Sequence, residues 1–283
     1  MSDVVEAGAR RFLAAEAATT RRPGRERDSE GVSLAGIGTT APTAVRGSLL
    51  AEAIAACGSS IASATAYADP EELLGGDWEL GLVLSPFKRD VAVHCDVLSP
   101  SATEAGVVDT LLRTEGAIVG YNTNTWAAQS ALEVLCPGAA PSRVLLLGAG
   151  ASARSVGLAL RRAWPGSDLS IAARSEGAAS ELVTLVGGRV HGSPPGERRS
   201  GATEPFDVAI NATTWGETES SESEPSPFDV SAALRPGGRF FDLNNRISAL
   251  QLDALRAGCA VVSGSLMQRV TNACRAALVR PAG

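Results

Sequence analysis

At 283 residues the chain is long enough for one large or two medium domains. A net charge of −6 argues against nucleic acid as a partner, and no apolar run reaches the ~18 residues of a membrane span. Five cysteines without CxxC spacing and two scattered histidines give no disulfide framework and no metal-ligand cluster, so no metal is expected. The composition fits a globular protein and the cysteine usage a reducing cytoplasm; the expected partner is a small-molecule substrate, with the chain a monomer or a homodimer. The first 31 residues have no long apolar core and do not read as a signal peptide.

The elements follow in chain order. Residues 4–18 predict a helix, and 19–31 a charged, turn-rich linker. "VSLAGIG" (32–38) predicts a strand and "PTAVRGSLLAEAIAAC" (42–57) a helix opened by Pro42. "WELGLVL" (78–84) is a buried strand that ends in a turn at Ser85-Pro86. "GVVDTLL" and "GAIVGYN" predict short paired strands, and "TWAAQSALEVL" (125–135) a helix. Beyond residue 142, strands and helices alternate: strand, glycine turn and helix in "SRVLLLGAGASARSVGLALRRAW", then four further strands in "DLSIAARS", "FDVAINAT", "GRFFDLN" and "CAVVSG", with helices after the first and third and a terminal helix near 265–279 after the last. That alternation predicts a parallel sheet covered on both faces. The polar inserts at 191–205 and 216–227 predict solvated loops.

"LLLGAGASA" places Gly148, Gly150 and Ala153 in the G-x-G-x-x-[GA] spacing, with Ala149 and Ala151 completing the turn. The first glycine makes the turn tight, the second lets a pyrophosphate approach, and the third small residue packs the helix on the strand. The motif follows an apolar strand and opens a helix, which is the context a dinucleotide site needs. An NAD site would carry an acidic residue at the tip of the next strand. "SIAARSEG" has Arg174 and Ser175 there, and a guanidinium suits the 2′-phosphate of NADP. NADP is therefore expected; Glu176, two residues on, leaves NAD as the lesser option.

The order of "SPFK" (85–88), "GYNTN" (120–124), "LLLGAGASA" (145–153) and "INATTWG" (210–216) resembles the shikimate dehydrogenase family, with weaker support from "FFDLNN" (240–245) and "GSLM" (264–267). The resemblance covers about residues 32–283. It implies an α/β fold with an N-terminal substrate domain and a Rossmann-type NADP domain, a C-terminal helix returning to the first domain, and substrate in the cleft between them. The expected divisions are an extension at 1–31, a substrate domain at 32–123 completed by 264–283, and an NADP domain at 124–263. By the same resemblance Asn211, Thr213 and Gly264 join the cofactor site. Lys88 takes the place of the family's catalytic acid/base.

Around Lys88 the family pattern changes. The S-x-S-P that binds a substrate carboxylate is Thr39-Thr40-Ala41-Pro42 here, and the threonine four before the lysine is Leu84. The asparagine of "G-A-V-N-T" is Asp109, and the aspartate of "N-T-D" is Asn124. The family tyrosine falls at Asn245, and the glutamine four after Met267 at Thr271. The amide and the carboxylate have thus exchanged places, which keeps one carboxylate for Lys88. Lys88, Asp109 and Asn124 are the expected catalytic set, and Thr39, Thr40, Leu84, Asn245, Met267 and Thr271 the expected substrate positions.

Lys88 is the only lysine among 25 basic residues. Hydride transfer to a carbonyl or imine needs a neighbouring cation that can also give up a proton. Lysine can do so when burial lowers its pKa, whereas arginine cannot. These residues predict an NADP-dependent oxidoreductase for a small cyclic or carboxylated ketone, alcohol or imine, away from shikimate itself. The rival expectation is a catalytically silent NADP(H)-binding protein of the same fold.

Overall fold

The computed structural model describes residues 2–20, 31–191, 204–226 and 228–280. The chain divides into two compact units, Met1–Ala127 with Arg269–Gly283, and Ala128–Gln268.

The first unit contains α1 (Ser2–Thr20), β1 (Val32–Ile37), α2 (Ala41–Ala44), α3 (Ser48–Ala56), β2 (Ile61–Tyr67), α4 (Pro70–Gly75), β3 (Leu80–Val83), β4 (Val97–Leu98), α5 (Pro100–Ala105), β5 (Thr110–Thr114) and β6 (Ala117–Tyr121). Its sheet runs β2-β1-β3-β5-β6-β4. β1 pairs in parallel with β2 and β3, while β5 runs antiparallel to β3 and β6. The C-terminal ends of β1, β3 and β6 therefore share one edge of the sheet with the start of β5. Ala35, Ile37, Val83, Val108 and Leu111 fill the core beneath that edge.

Residues 42–57 do not form the single helix expected. Gly47 is extended (φ −68°, ψ 136°) and begins α3 anew; glycine is a poor helix interior residue, and Pro42 occupies only the first turn of α2. β2, β4 and two short helices add to the expected elements. β2 is a half-exposed edge strand of small residues, so it shows no apolar run. α4 and α5 are each marked by a cap followed by proline, Asp69-Pro70 and Ser99-Pro100. The N-terminal helix is longer than expected, and its Phe12 is fully buried edge-on against Tyr121, with ring centroids 5.9 Å apart.

α6 (Thr123–Leu135) begins in the first unit and continues into the second, which holds β7 (Arg143–Leu147), α7 (Ala151–Ala163), β8 (Asp168–Ala172), α8 (Glu176–Val186), β9 (Arg189–Val190), β10 (Phe206–Asn211), α9 (Val230–Ala233), β11 (Leu234–Asp242), α10 (Ala249–Arg256) and β12 (Ala260–Ser263). α11 (Gly264–Leu278) closes the chain, and from Arg269 onward it belongs to the first unit. The second sheet is wholly parallel in the order β12-β11-β10-β7-β8-β9. This is the doubly wound order, reversing between β7 and β10.

The insert at 216–227 is solvated as expected, with Glu217–Ser220 and Ser223–Ser226 exposed, but it is tethered to the fold. Glu222 Oε1 accepts from Arg246 Nη1 at 2.5 Å and from the Ala249 N–H at 3.2 Å, which ties the insert to the start of α10. Residues 21–30 of the linker and 192–203 of the other insert lie outside the described residues.

Candidate active site

In the first unit the ends of β1 and β3 are laced together. The Leu84 N–H donates to the Ile37 carbonyl (2.9 Å), and the Thr39 N–H and hydroxyl both donate to the Ser85 carbonyl (3.0 and 3.4 Å). Gly38 allows this approach: it lies at φ +119°, and a Cβ would sit 2.7 Å from the Ser85 oxygen. Thr39 and Thr40 are exposed at this edge, and Leu84 is half-buried. Lys88 is only 5% exposed, while Arg89 beside it faces solvent. The Lys88 carbonyl accepts from the Val108 N–H at 2.9 Å, which fixes it beside the segment carrying Asp109.

Asp109 is buried and heavily bonded. Its Oδ1 accepts from the Thr110 hydroxyl (2.7 Å), the Thr123 hydroxyl (2.5 Å) and the Thr123 N–H (3.2 Å); its Oδ2 accepts from the Asn124 N–H (2.8 Å). Asn122 Oδ1 accepts from the Thr125 N–H at 3.2 Å. The first three N–H groups of α6 are therefore all satisfied, two of them by one carboxylate. A negative group at a helix start also complements the helix dipole. Asp109 is thus the anchor of α6 as well as the carboxylate at this strand edge.

α11 supplies the remaining groups. The Thr271 hydroxyl donates to Asn124 Oδ1 at 3.2 Å, leaving the Asn124 Nδ2 without a partner among the described residues. One turn on, Arg275 is buried; it donates to the Thr110 hydroxyl (3.0 Å), the Asp109 carbonyl (3.1 Å) and Asn272 Oδ1 (3.2 Å). Burial pulls the Arg275 pKa down, opposed by the charge of Asp109. The sequence reading missed Thr110, Thr123 and Arg275. The available signal was an arginine four residues after Thr271 on a terminal helix otherwise rich in small apolar residues.

In the second unit the glycine turn sits between β7 and α7. Gly148 lies at φ +103°, and a Cβ would stand 2.9 Å from the Ala212 carbonyl. Ala153 is fully buried beneath the turn, and Ala149 and Ala151 are half-buried along it. Gly150 begins α7 with no side-chain cap, and a Cβ there would meet open space. By contrast α8, α9 and α10 are capped by Ser175, Asp229 and Ser248. The N–H groups at the start of α7 are thus left for an outside anion, and the open cradle fits a dinucleotide pyrophosphate. Arg174 is exposed at the tip of β8; Ser175, next to it, spends its oxygen on the Ala178 N–H (3.2 Å).

At the end of β10, Asn211 Oδ1 accepts from the Thr213 N–H (3.1 Å) and hydroxyl (2.6 Å), and its Nδ2 donates to Asp242 Oδ1 (3.1 Å). Burial raises the Asp242 pKa, and donors from Ser248, Gln251, Asn244 and Asn211 oppose that rise. Asn245 is exposed after β11, its carbonyl accepting from the Ser265 hydroxyl at 3.0 Å, and Met267 is buried in α11. Gly264 sits where a Cβ would overlap the Leu243 carbonyl. Gly264→Ala is expected to destabilise the protein by about 3 kcal/mol, measured as a lowered urea midpoint.

The cysteines do not compete for the chemistry. All five are free; burial, helped by Asp96, pushes Cys95 up to about 12, and burial raises Cys274 further. Among the described residues no group of His, Cys, Asp and Glu could hold a metal, and no helix is long and apolar enough to cross a membrane.

No protein-family profile matches the chain. The shikimate dehydrogenase (NADP(+)) of Anaeromyxobacter sp. (strain Fw109-5) is 36% identical over 207 residues, covering 69% of this chain and 72% of that enzyme. The chain belongs to the shikimate dehydrogenase family. The family's Moorella thermoacetica enzyme, also named shikimate dehydrogenase (NADP(+)), is 32% identical over 189 residues; the match spans 64% of this chain and 63% of that enzyme's length. Among solved structures, shikimate 5-dehydrogenase from Thermus thermophilus in complex with NADP(H) and shikimate has a TM-score of 0.72 at 24% identity, covering 86% of this chain and 91% of that one. Quinate dehydrogenase from Corynebacterium glutamicum with NAD gives 0.73 at 21% identity, covering 88% and 94%. The 5-ketofructose reductase of Gluconobacter gives 0.68 at 21%, covering 87% and 91%. At these identities the structures speak for the fold, which is the two-sheet α/β architecture of the family.

Proposed function

We propose that this chain is an NADP-dependent oxidoreductase of the shikimate dehydrogenase type, acting on a small cyclic or carboxylated ketone or alcohol. The observation that carries the reading is Lys88: the chain's single lysine is buried at the strand edge that also presents Asp109, Asn124 and Thr39. NADP(H) would be held by the Gly148–Ala151 turn, by Arg174 at the 2′-phosphate, and by residues after β10, including Thr213; when bound it supplies or accepts the hydride. Lys88 gives a proton to the reacting oxygen in reduction and takes it back in oxidation. Asp109 is the carboxylate at the same strand edge. Thr39, Thr40 and the Asn124 amide offer hydrogen bonds to the substrate, and Leu84 gives it an apolar wall.

The NADP-named relatives and the arginine at the β8 tip support NADP over NAD. The exchanged Asp109/Asn124 pair and Leu84 favour a substrate other than shikimate, while the family's relatives make shikimate the first compound to try. The test is turnover by purified protein of shikimate and quinate with NADP+, and of 5-ketofructose with NADPH. Oxidation or reduction of any of them supports the reading; NADPH binding without turnover across a broad ketone and imine panel would leave a nucleotide-binding protein. Arg174→Ala is expected to weaken NADPH binding by about 10–100-fold and to leave NADH binding unchanged. Equal losses for both nucleotides would remove the 2′-phosphate role.

A further inference from the structure

α1 lies outside the stretch that resembles the family, yet it grips the part of the first unit that carries Asn124. Three tethers converge there. The Phe12 ring packs edge-on against Tyr121, the last residue of β6, and both are fully buried. Glu16, also fully buried, accepts the Trp126 indole N–H on Oε1 at 3.1 Å. Its Oε2 accepts from the Ser101 N–H at 3.4 Å, at the start of α5. Ser101 in turn donates its hydroxyl to the Asn122 carbonyl at 3.2 Å. Residues 121, 122 and 126 are therefore each held by α1, directly or through one residue. They bracket Thr123 and Asn124, whose N–H groups Asp109 receives.

A buried carboxylate has a large desolvation penalty unless its bonds are made, so Glu16 holds one geometry rather than several. Small displacements at a reacting centre have large effects, because rate depends steeply on alignment. We propose that α1 is a working part of the candidate site: Glu16 is a positioning residue that, through Trp126 and Ser101, sets the Asn122–Asn124 turn against its Asp109 anchor. The proposal rests on reading the first unit as the site of proton transfer and substrate binding.

The test uses the full chain with Glu16→Gln, Glu16→Ala, Trp126→Phe and the Glu16→Ala/Trp126→Phe pair. Glutamine keeps an acceptor but loses the charge, and phenylalanine keeps the ring but loses the N–H. Backbone amide signals of Asn122, Thr123 and Asn124 are expected to shift in all variants, more for Glu16→Ala than for Glu16→Gln. NADPH affinity is expected to stay unchanged, and kcat/KM for shikimate oxidation, or for the best substrate found, to fall about 10-fold or more. The pair is expected to lose no more than the worse single variant. Unchanged amide signals at 122–124 with a lowered melting temperature would make α1 a mere brace and overturn the proposal. If the wild-type protein turns over none of the compounds, the proposed function fails, and the amide signals still decide the role of Glu16.

Discussion

Lys88→Arg and Lys88→Met are expected to lower turnover by about 10²–10⁴-fold without changing NADPH affinity. Arginine keeps the positive charge but cannot give up its proton at working pH, and its planar fork needs more room than the buried ammonium. The arginine variant therefore separates charge from proton transfer. If charge alone mattered, Lys88→Arg would stay close to wild type and only Lys88→Met would fail. The reading of Lys88 as the proton donor requires both to fail. Arg89 offers a control: Arg89→Lys, at an exposed neighbour, is expected to leave turnover intact. Steady-state rates and a fluorescence titration of NADPH give the answer. An active Lys88→Arg variant would exclude Lys88 from proton transfer.

Asp109→Ala is expected to destabilise the protein by about 3–5 kcal/mol, because it leaves two N–H groups of α6 unsatisfied and removes the negative charge near the buried Arg275. Asp109→Asn keeps one acceptor but places an amide N–H₂ against a donor, so a loss of about 1–3 kcal/mol is expected. Chemical denaturation measures both. The informative variant is the double exchange, Asp109→Asn with Asn124→Asp, which restores the family's own order of amide and carboxylate. It returns a carboxylate to the first turn of α6, at 124, but not to position 109, where it receives the Thr123 and Asn124 N–H groups. Stability is therefore expected to stay low even if turnover of shikimate appears. Recovery of full stability in the double variant would show that the α6 cap is not what Asp109 provides.

Much of the architecture was legible because its signals are local. The β7–turn–α7 unit is written in a run of apolar residues, two glycines and an alanine, and the structure places them in the tight turn and buried contact that their spacing requires. Lys88 stood out through the absence of any other lysine. Short elements were harder: β2 is an edge strand of small residues, and α4 and α5 are single turns marked only by their caps. Periodicity needs more length than these have.

The site's wiring was not legible, because it is made by residues far apart in sequence. Asp109 looked like half of an exchanged pair beside Lys88, and only the fold reveals that its carboxylate holds the start of α6, 14 and 15 residues away. Arg275 reaches the Asp109 carbonyl across 166 residues, and Glu16 reaches Trp126 across 110. An exposed arginine and a buried one, or a surface glutamate and a helix-capping one, have the same letter in a sequence. The sequence by itself determined the fold class, the glycine turn and the single lysine, since each depends on neighbours along the chain. The tertiary structure alone decided which polar groups are buried and what each one holds, since burial and hydrogen bonding are fixed only when distant segments meet.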